Sequence, residues 1–167
     1  MSVHFSFFSD RPQCWRLRDE LRPHIGRFLA GLPLAAVRTA TLSDDHGQWL
    51  GECAKMSMCN VEHLTVLAGA PGPKWMFICK LLGSKSARRR RLRALRTLRI
   101  VGLDLAGMEA NQFIGLFRKS SHPWGAKVIF ERCRNIVADE ILWLRCFVHV
   151  DWDRYGEIKE SRIHRLR

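Results

Sequence analysis

Lys85, Arg88, Arg89, Arg90, Arg91, Arg93, Arg96 and Arg99 place eight cationic side chains in one short stretch with no acidic residue among them. Like charges one helical turn apart repel, so such a segment is a poor helix until an anionic partner neutralises it. Two uses fit this pattern. Guanidinium groups can contact phosphates, and Lys85-Ser-Ala-Arg-Arg-Arg-Arg91 reads as a basic nuclear-import signal. A merely solvated face is the plain alternative, and it fits less well because no interleaved Glu relieves the repulsion.

Metal chemistry has one candidate cluster, His46, Cys53, Cys59 and His63. Its Cys-x5-Cys-x3-His spacing lacks the close cysteine pairs of zinc ribbons, and two core thiols on one strand face would give the same pattern. The expectation is therefore no cofactor, with zinc the one ion the residues leave open. Six cysteines and seven histidines are present, yet none sits in a recognisable nucleophile motif. Neither Gly-x-x-x-x-Gly-Lys nor Gly-x-Gly-x-x-Gly occurs to cradle a phosphate. Asp139-Glu140 and Asp151-x-Asp153 border expected strand ends and read as turn and cap residues. These patterns argue for a binding protein and against an enzyme. Trp124 and Trp152 fall in expected turns, where an exposed indole can meet a partner or simply cover the core.

The charge is unevenly spread. Residues 1–80 carry 9 basic and 7 acidic side chains, whereas residues 81–167 carry 19 and 9, so the second half generates most of the net +12. Such a field attracts nucleic acid or acidic protein surfaces. The N-terminal stretch lacks the basic start of a secretion signal, and no apolar run approaches the ~20 residues of a membrane helix. No membrane partner is expected, and the cysteines are expected to be reduced, buried thiols.

The elements that must position these groups follow from periodicity. Val3, Phe5 and Phe7 alternate with polar residues as a short strand, and helical spacing follows to Gly31 with a break at Pro23. Val37 to Leu42 and Gln48 to Met58 suggest a hairpin, and Val61 to Leu67 with Trp75 to Leu82 suggest a second. Gly83 to Ser86 reads as an exposed linker into a basic helix ending at Arg99. Ala106 to Phe117 reads as another helix. Lys127 to Val137 and Glu140 to Val150 look like the strongest strand pair, which would make Trp143 a core residue. No internal repeat stands out. The expected fold is α+β, a mostly antiparallel sheet with N-terminal and central helices: a single domain over 1–156, a basic linker or helix at 83–99 within it, and a basic polar tail at 157–167.

Cys53-Ala-Lys-Met-Ser-Met-Cys-Asn-Val61, Asn111-Gln-Phe-Ile114, Lys127-Val-Ile-Phe130 and Glu140-Ile-Leu-Trp-Leu-Arg145 follow one another in an order that resembles the adenovirus early-region-four 34K family, over about Cys53 to Gly156. The resemblance implies a viral early protein of the host nucleus, with some in the cytoplasm. It would be an adaptor binding host and viral proteins and recruiting a cullin ubiquitin ligase through elongins B and C. The family's Cys/His-rich middle has no counterpart between Lys80 and Leu92, where the arginine run stands instead. Leu142-x-x-x-Cys146-x-x-x-Val150 matches the spacing of an elongin-binding box. Such boxes are helical, and the surrounding residues read as a buried strand, which favours a core role for all three.

Overall fold

The computed structural model describes residues 2–7, 36–44, 59–68, 92–106, 108–118 and 126–158. Along them run β1 (Ser2–Phe7), β2 (Thr39–Asp44), β3 (His63–Leu67), β4 (Thr97–Val101), α1 (Ala110–Arg118), β5 (Lys127–Glu131), β6 (Ile136–Val137), α2 (Ala138–Arg145), β7 (Val150–Trp152) and β8 (Glu157–Ile158). Strands β1, β2, β3, β4, β5 and β7 form one sheet in that order, and β6 pairs with β8 in a second. Every pairing among the described residues is parallel.

Neighbouring strands that follow one another in sequence and point the same way force the chain to circle back between them. The result is a coil with one sheet strand per turn, each strand paired only with those of the turns beside it. Its register is straight. Ala40, Leu64, Leu98, Val128 and Val150 form one row, and Leu42, Val66, Ile100, Phe130 and Trp152 form another two residues on. Both rows face the core, and all but the half-buried Trp152 are buried within it.

Stacking continues past the strands. Arg134 N–H donates to Leu103 O at 2.8 Å, Leu105 N–H donates to Arg134 O at 3.1 Å, and Asp104 bridges to Arg134. The sequence spells this out as Leu95-x-x-Leu98-x-Ile100-x-x-Leu103-x-Leu105, then Val128-x-Phe130-x-x-Cys133-x-x-Ile136. Leu98, Ile100 and Leu103 thus share the spacing of Val128, Phe130 and Cys133, and both coils turn these positions inward. Helices α1 and α2 close the core from the far side. Phe113 and Phe117 of α1 pack on Phe130 with ring centroids 5.6 and 6.3 Å away, and Ile141 and Leu144 of α2 are buried beside them.

The mostly antiparallel sheet is therefore corrected to a parallel one. Connections as long as Asp44 to His63 or Leu67 to Thr97 are far beyond hairpin loops, whereas parallel strands need about a dozen residues or more to return. The coils share their inward positions but differ in connection length, so the stacking follows no fixed sequence period. The helix expected to reach Arg99 ends in a strand instead, because Leu98 and Ile100 alternate with Thr97, Arg99 and Val101.

Glu140 to Arg145 is helical, not a strand. Asp139 and Glu140 lie in the first turn and Arg145 in the last, as the helix dipole favours. Ile141 and Leu144, three residues apart, are the inward face. Glu157 and Ile158, assigned to a loose tail, pair with Ile136 and Val137. The expected strands at Gln48 to Met58 and Trp75 to Leu82 lie outside the described residues.

Candidate binding surface

The side chains between the two buried rows point away from the core and line the other face of the sheet. Thr41, Thr65, Arg99, Ile129 and Asp151 form one row across five strands, flanked by His63, Thr97 and Lys127 and by Leu67, Val101 and Glu131. All of these are half-buried or exposed, and α1 and α2 lie on the opposite side. Ser43, which pairs with Leu67 on this same face, is buried, so among the described residues the face stands open across β3, β4, β5 and β7.

Its charges are held in order. Arg99 Nη2 donates to Glu131 Oε2 at 2.7 Å. Glu62, just before β3, sits between Arg38 and Arg96, with Arg38 Nη1 at 3.7 Å and Arg96 Nε at 3.4 Å from its two oxygens. Lys127 pairs with Asp151, and His149 Nε2 lies 3.9 Å from the same carboxylate. The Lys127 hydrogen bond, aided by its charge, holds the Asp151 carboxyl below the usual carboxylate range. Exposed pairs of this kind contribute little to stability, because solvent screens them. Their larger effect is to fix side-chain positions on a flat face.

The residues singled out by sequence are dispersed. Of the basic group, Arg96 and Arg99 enter ion pairs on the sheet and Arg93 is exposed, while Lys85 and Arg88 to Arg91 lie outside the described residues. His46 and Cys53 of the metal cluster also lie outside. Cys59 is half-buried and His63 exposed on the sheet, and no group of three metal-ligating side chains occurs among the described residues. Trp124 is outside the described set, and Trp152 lies on β7, half-buried against the core instead of in a turn.

Leu142, Cys146 and Val150 do not share a face. Leu142 is 57% exposed on α2, Cys146 is exposed at its end, and Val150 is buried on β7. The expected inward face is thus corrected for the first two. Trp143, expected in the core, is 54% exposed. Together with Phe147 these side chains give α2 an apolar outer surface.

The acidic pairs behave largely as caps. Glu140 is buried, with Oε2 accepting the Val137 N–H at 3.2 Å at the start of α2. Asp153 accepts the Arg132 N–H at 2.7 Å and the Tyr155 N–H at 3.0 Å. Asp151 departs from that reading, since it stands mid-strand in an ion pair. Of the described cysteines, all free, only Cys133 is buried; its thiol donates to Ile100 O and Glu131 O, both at 3.4 Å. Burial pushes it up to about 12, which makes it a packing group and a poor nucleophile.

Sequence reasoning missed the open face itself and three exposed arginines at its end, Arg132, Arg134 and Arg154. The signal for both was the repeated inward spacing, because aligning the coils shows which residues alternate outward. No family model, curated protein or solved structure matches this chain.

Proposed function

We propose that the protein is a non-enzymatic adaptor that takes a protein partner on the open face of its parallel sheet. The observation that carries this reading is the outward row Thr41, Thr65, Arg99, Ile129 and Asp151, half-buried or exposed, with Arg99 and Asp151 already in ion pairs. Stacked coils characteristically create extended surfaces of this kind, rigid enough to bind without reorganising.

An adaptor needs a second surface, and α2 supplies one. Leu142, Trp143 and Phe147 stand exposed across the sheet from the open face, an arrangement rare on a surface that meets only water. The resemblance to the adenovirus early-region-four 34K proteins points to the same role. Recruitment of a ubiquitin ligase would use this helix, and the arginines at 88–91 would serve import into the host nucleus.

Affinity purification with two variants tests the reading. Ile129→Glu with Thr65→Glu should remove one set of co-purifying proteins, and Leu142→Glu with Trp143→Glu a different set. Retention of every partner by both variants would overturn it. Leu142 and Trp143 are mostly exposed, where substitutions usually change stability by about 0.5 kcal/mol or less, and a thermal melt checks that the half-buried Thr65 and Ile129 pair still folds.

A further inference from the structure

We infer that the rim at the C-terminal ends of β5 and β7 binds single-stranded nucleic acid, through Arg132, Arg134 and Arg154 on phosphates and Tyr155 on a base. Arg132 and Arg154 occupy the same place in successive coils, each two residues beyond the Phe130 and Trp152 pairing. Both have left-handed backbones, φ 51 and 58. In the preceding coil that place is held by Gly102. The turn therefore demands a conformation that glycine adopts freely, and twice the chain sets arginine there instead.

The arginines of the chain differ in their ion pairing. Arg38, Arg96 and Arg99 on the sheet each have an acidic partner, whereas the exposed Arg132, Arg134 and Arg154 have none within ion-pair distance among the described residues. The rim's backbone is anchored all the same: the Asp153 carboxylate accepts the Arg132 and Tyr155 amides, and Leu103 O accepts the Arg134 N–H. Arg134 lies 5.9 Å from the centroid of the half-exposed Tyr155 ring. A cationic groove edge beside an exposed aromatic face is the pairing by which single strands are held: the phosphates take the charge and a base takes the ring. An acidic peptide would use the charge and leave the ring idle. Arginine outnumbers lysine 21 to 7 in the chain, and its planar fork suits phosphate.

The test uses the full chain and a fluorescein-labelled oligouridylate of about twelve nucleotides. Arg132→Gly with Arg154→Gly removes both charges while suiting the backbone. This pair should keep the melting temperature and weaken binding about tenfold near 0.15 M salt. It should also flatten the slope of log affinity against log salt by about 1.4, roughly 0.7 for each lost single-strand contact. An Asn pair, which also tolerates left-handed backbone, should behave alike, so a folding defect in one leaves the other decisive. Tyr155→Ala should lose about fivefold or more with the slope unchanged. Unaltered affinity and slope in both arginine pairs would overturn the proposal. So would displacement of the probe by polyglutamate as readily as by unlabelled oligouridylate, which would assign the rim to acidic proteins.

Discussion

Gly102 and Arg132 stand at the same position of consecutive coils, one residue beyond the Val101 and Glu131 pairing, and both backbones are left-handed, at φ 72 and 51. Gly102 N–H donates to Glu131 O at 2.8 Å, so the turn also ties the two coils together. A Cβ on Gly102 would lie 2.9 Å from Ala68 O, a backbone atom of the coil before. Gly102→Ala therefore adds left-handed strain and forces that carbonyl to shift, and should cost about 1 to 3 kcal/mol. Arg132→Gly should be nearly neutral, because relief of strain offsets the greater freedom of the unfolded chain. Denaturant unfolding of the two variants checks the contrast, and equal losses would show that the turn does not depend on its backbone conformation.

On α2, Leu142 and Leu144 are two residues apart and have opposite environments, the first largely exposed and the second fully buried. Leu144→Ala should cost ~2 to 5 kcal/mol as a core truncation. Leu142→Ala and Cys146→Ala should stay within ~0.5 kcal/mol of the parent. Thermal melts order the three variants. A large loss at Leu142 would mean that its side chain is covered.

The individual strands at β1, β2 and β3 and the helix α1 were legible from local pattern, because alternation and helical spacing are properties of a few adjacent residues. Their direction was not. Alternating residues look the same in a parallel and an antiparallel strand, and only the long connections distinguish them. Glu140 to Val150 failed for another reason: Ile141, Leu142, Trp143 and Leu144 form an unbroken apolar run, which suits a buried strand and a helix with one exposed apolar side equally well. The open face was invisible because its residues are ordinary threonines and paired charges. Only the register that aligns Thr41, Thr65 and Arg99 makes them a surface.

Lys127 and Asp151 make stability depend on acid. The Asp151 carboxyl titrates below its unfolded value, about 3.9 for an aspartate, so the folded state releases this proton first as pH rises. The contribution is complete above the unfolded value and disappears as pH falls through the folded one. Asp151→Asn should therefore be less stable than the parent at neutral pH, with the gap closing below about pH 4. Because Asp151 is exposed, salt near 1 M should shrink the gap at neutral pH as well. Urea unfolding at a series of pH values gives the difference curve, and a gap independent of pH would show that the ion pair contributes nothing.

Cys133 and Cys146 differ in burial, and their reactivity should follow. The Cys133 thiol, sealed in the core and bonded to the Ile100 and Glu131 carbonyls, is pushed up to about 12 chiefly by burial, so the reactive thiolate is scarce and out of reach. Cys146 is exposed at the end of α2. Iodoacetamide at pH 8 should modify Cys146 in the native protein and reach Cys133 only after unfolding, as peptide mass mapping would reveal. The same burial sets an alkaline limit. An unfolded cysteine ionises near pH 8.5 while folded Cys133 does not, so above that pH the unfolded state sheds a proton that the folded state keeps. Stability from this group is fully present below about pH 8.5 and declines toward pH 12, and Cys133→Ala should remove that part of the decline while lowering stability overall through the lost packing. Rapid native alkylation of Cys133, or an alkaline decline unchanged in the alanine variant, would contradict the buried assignment.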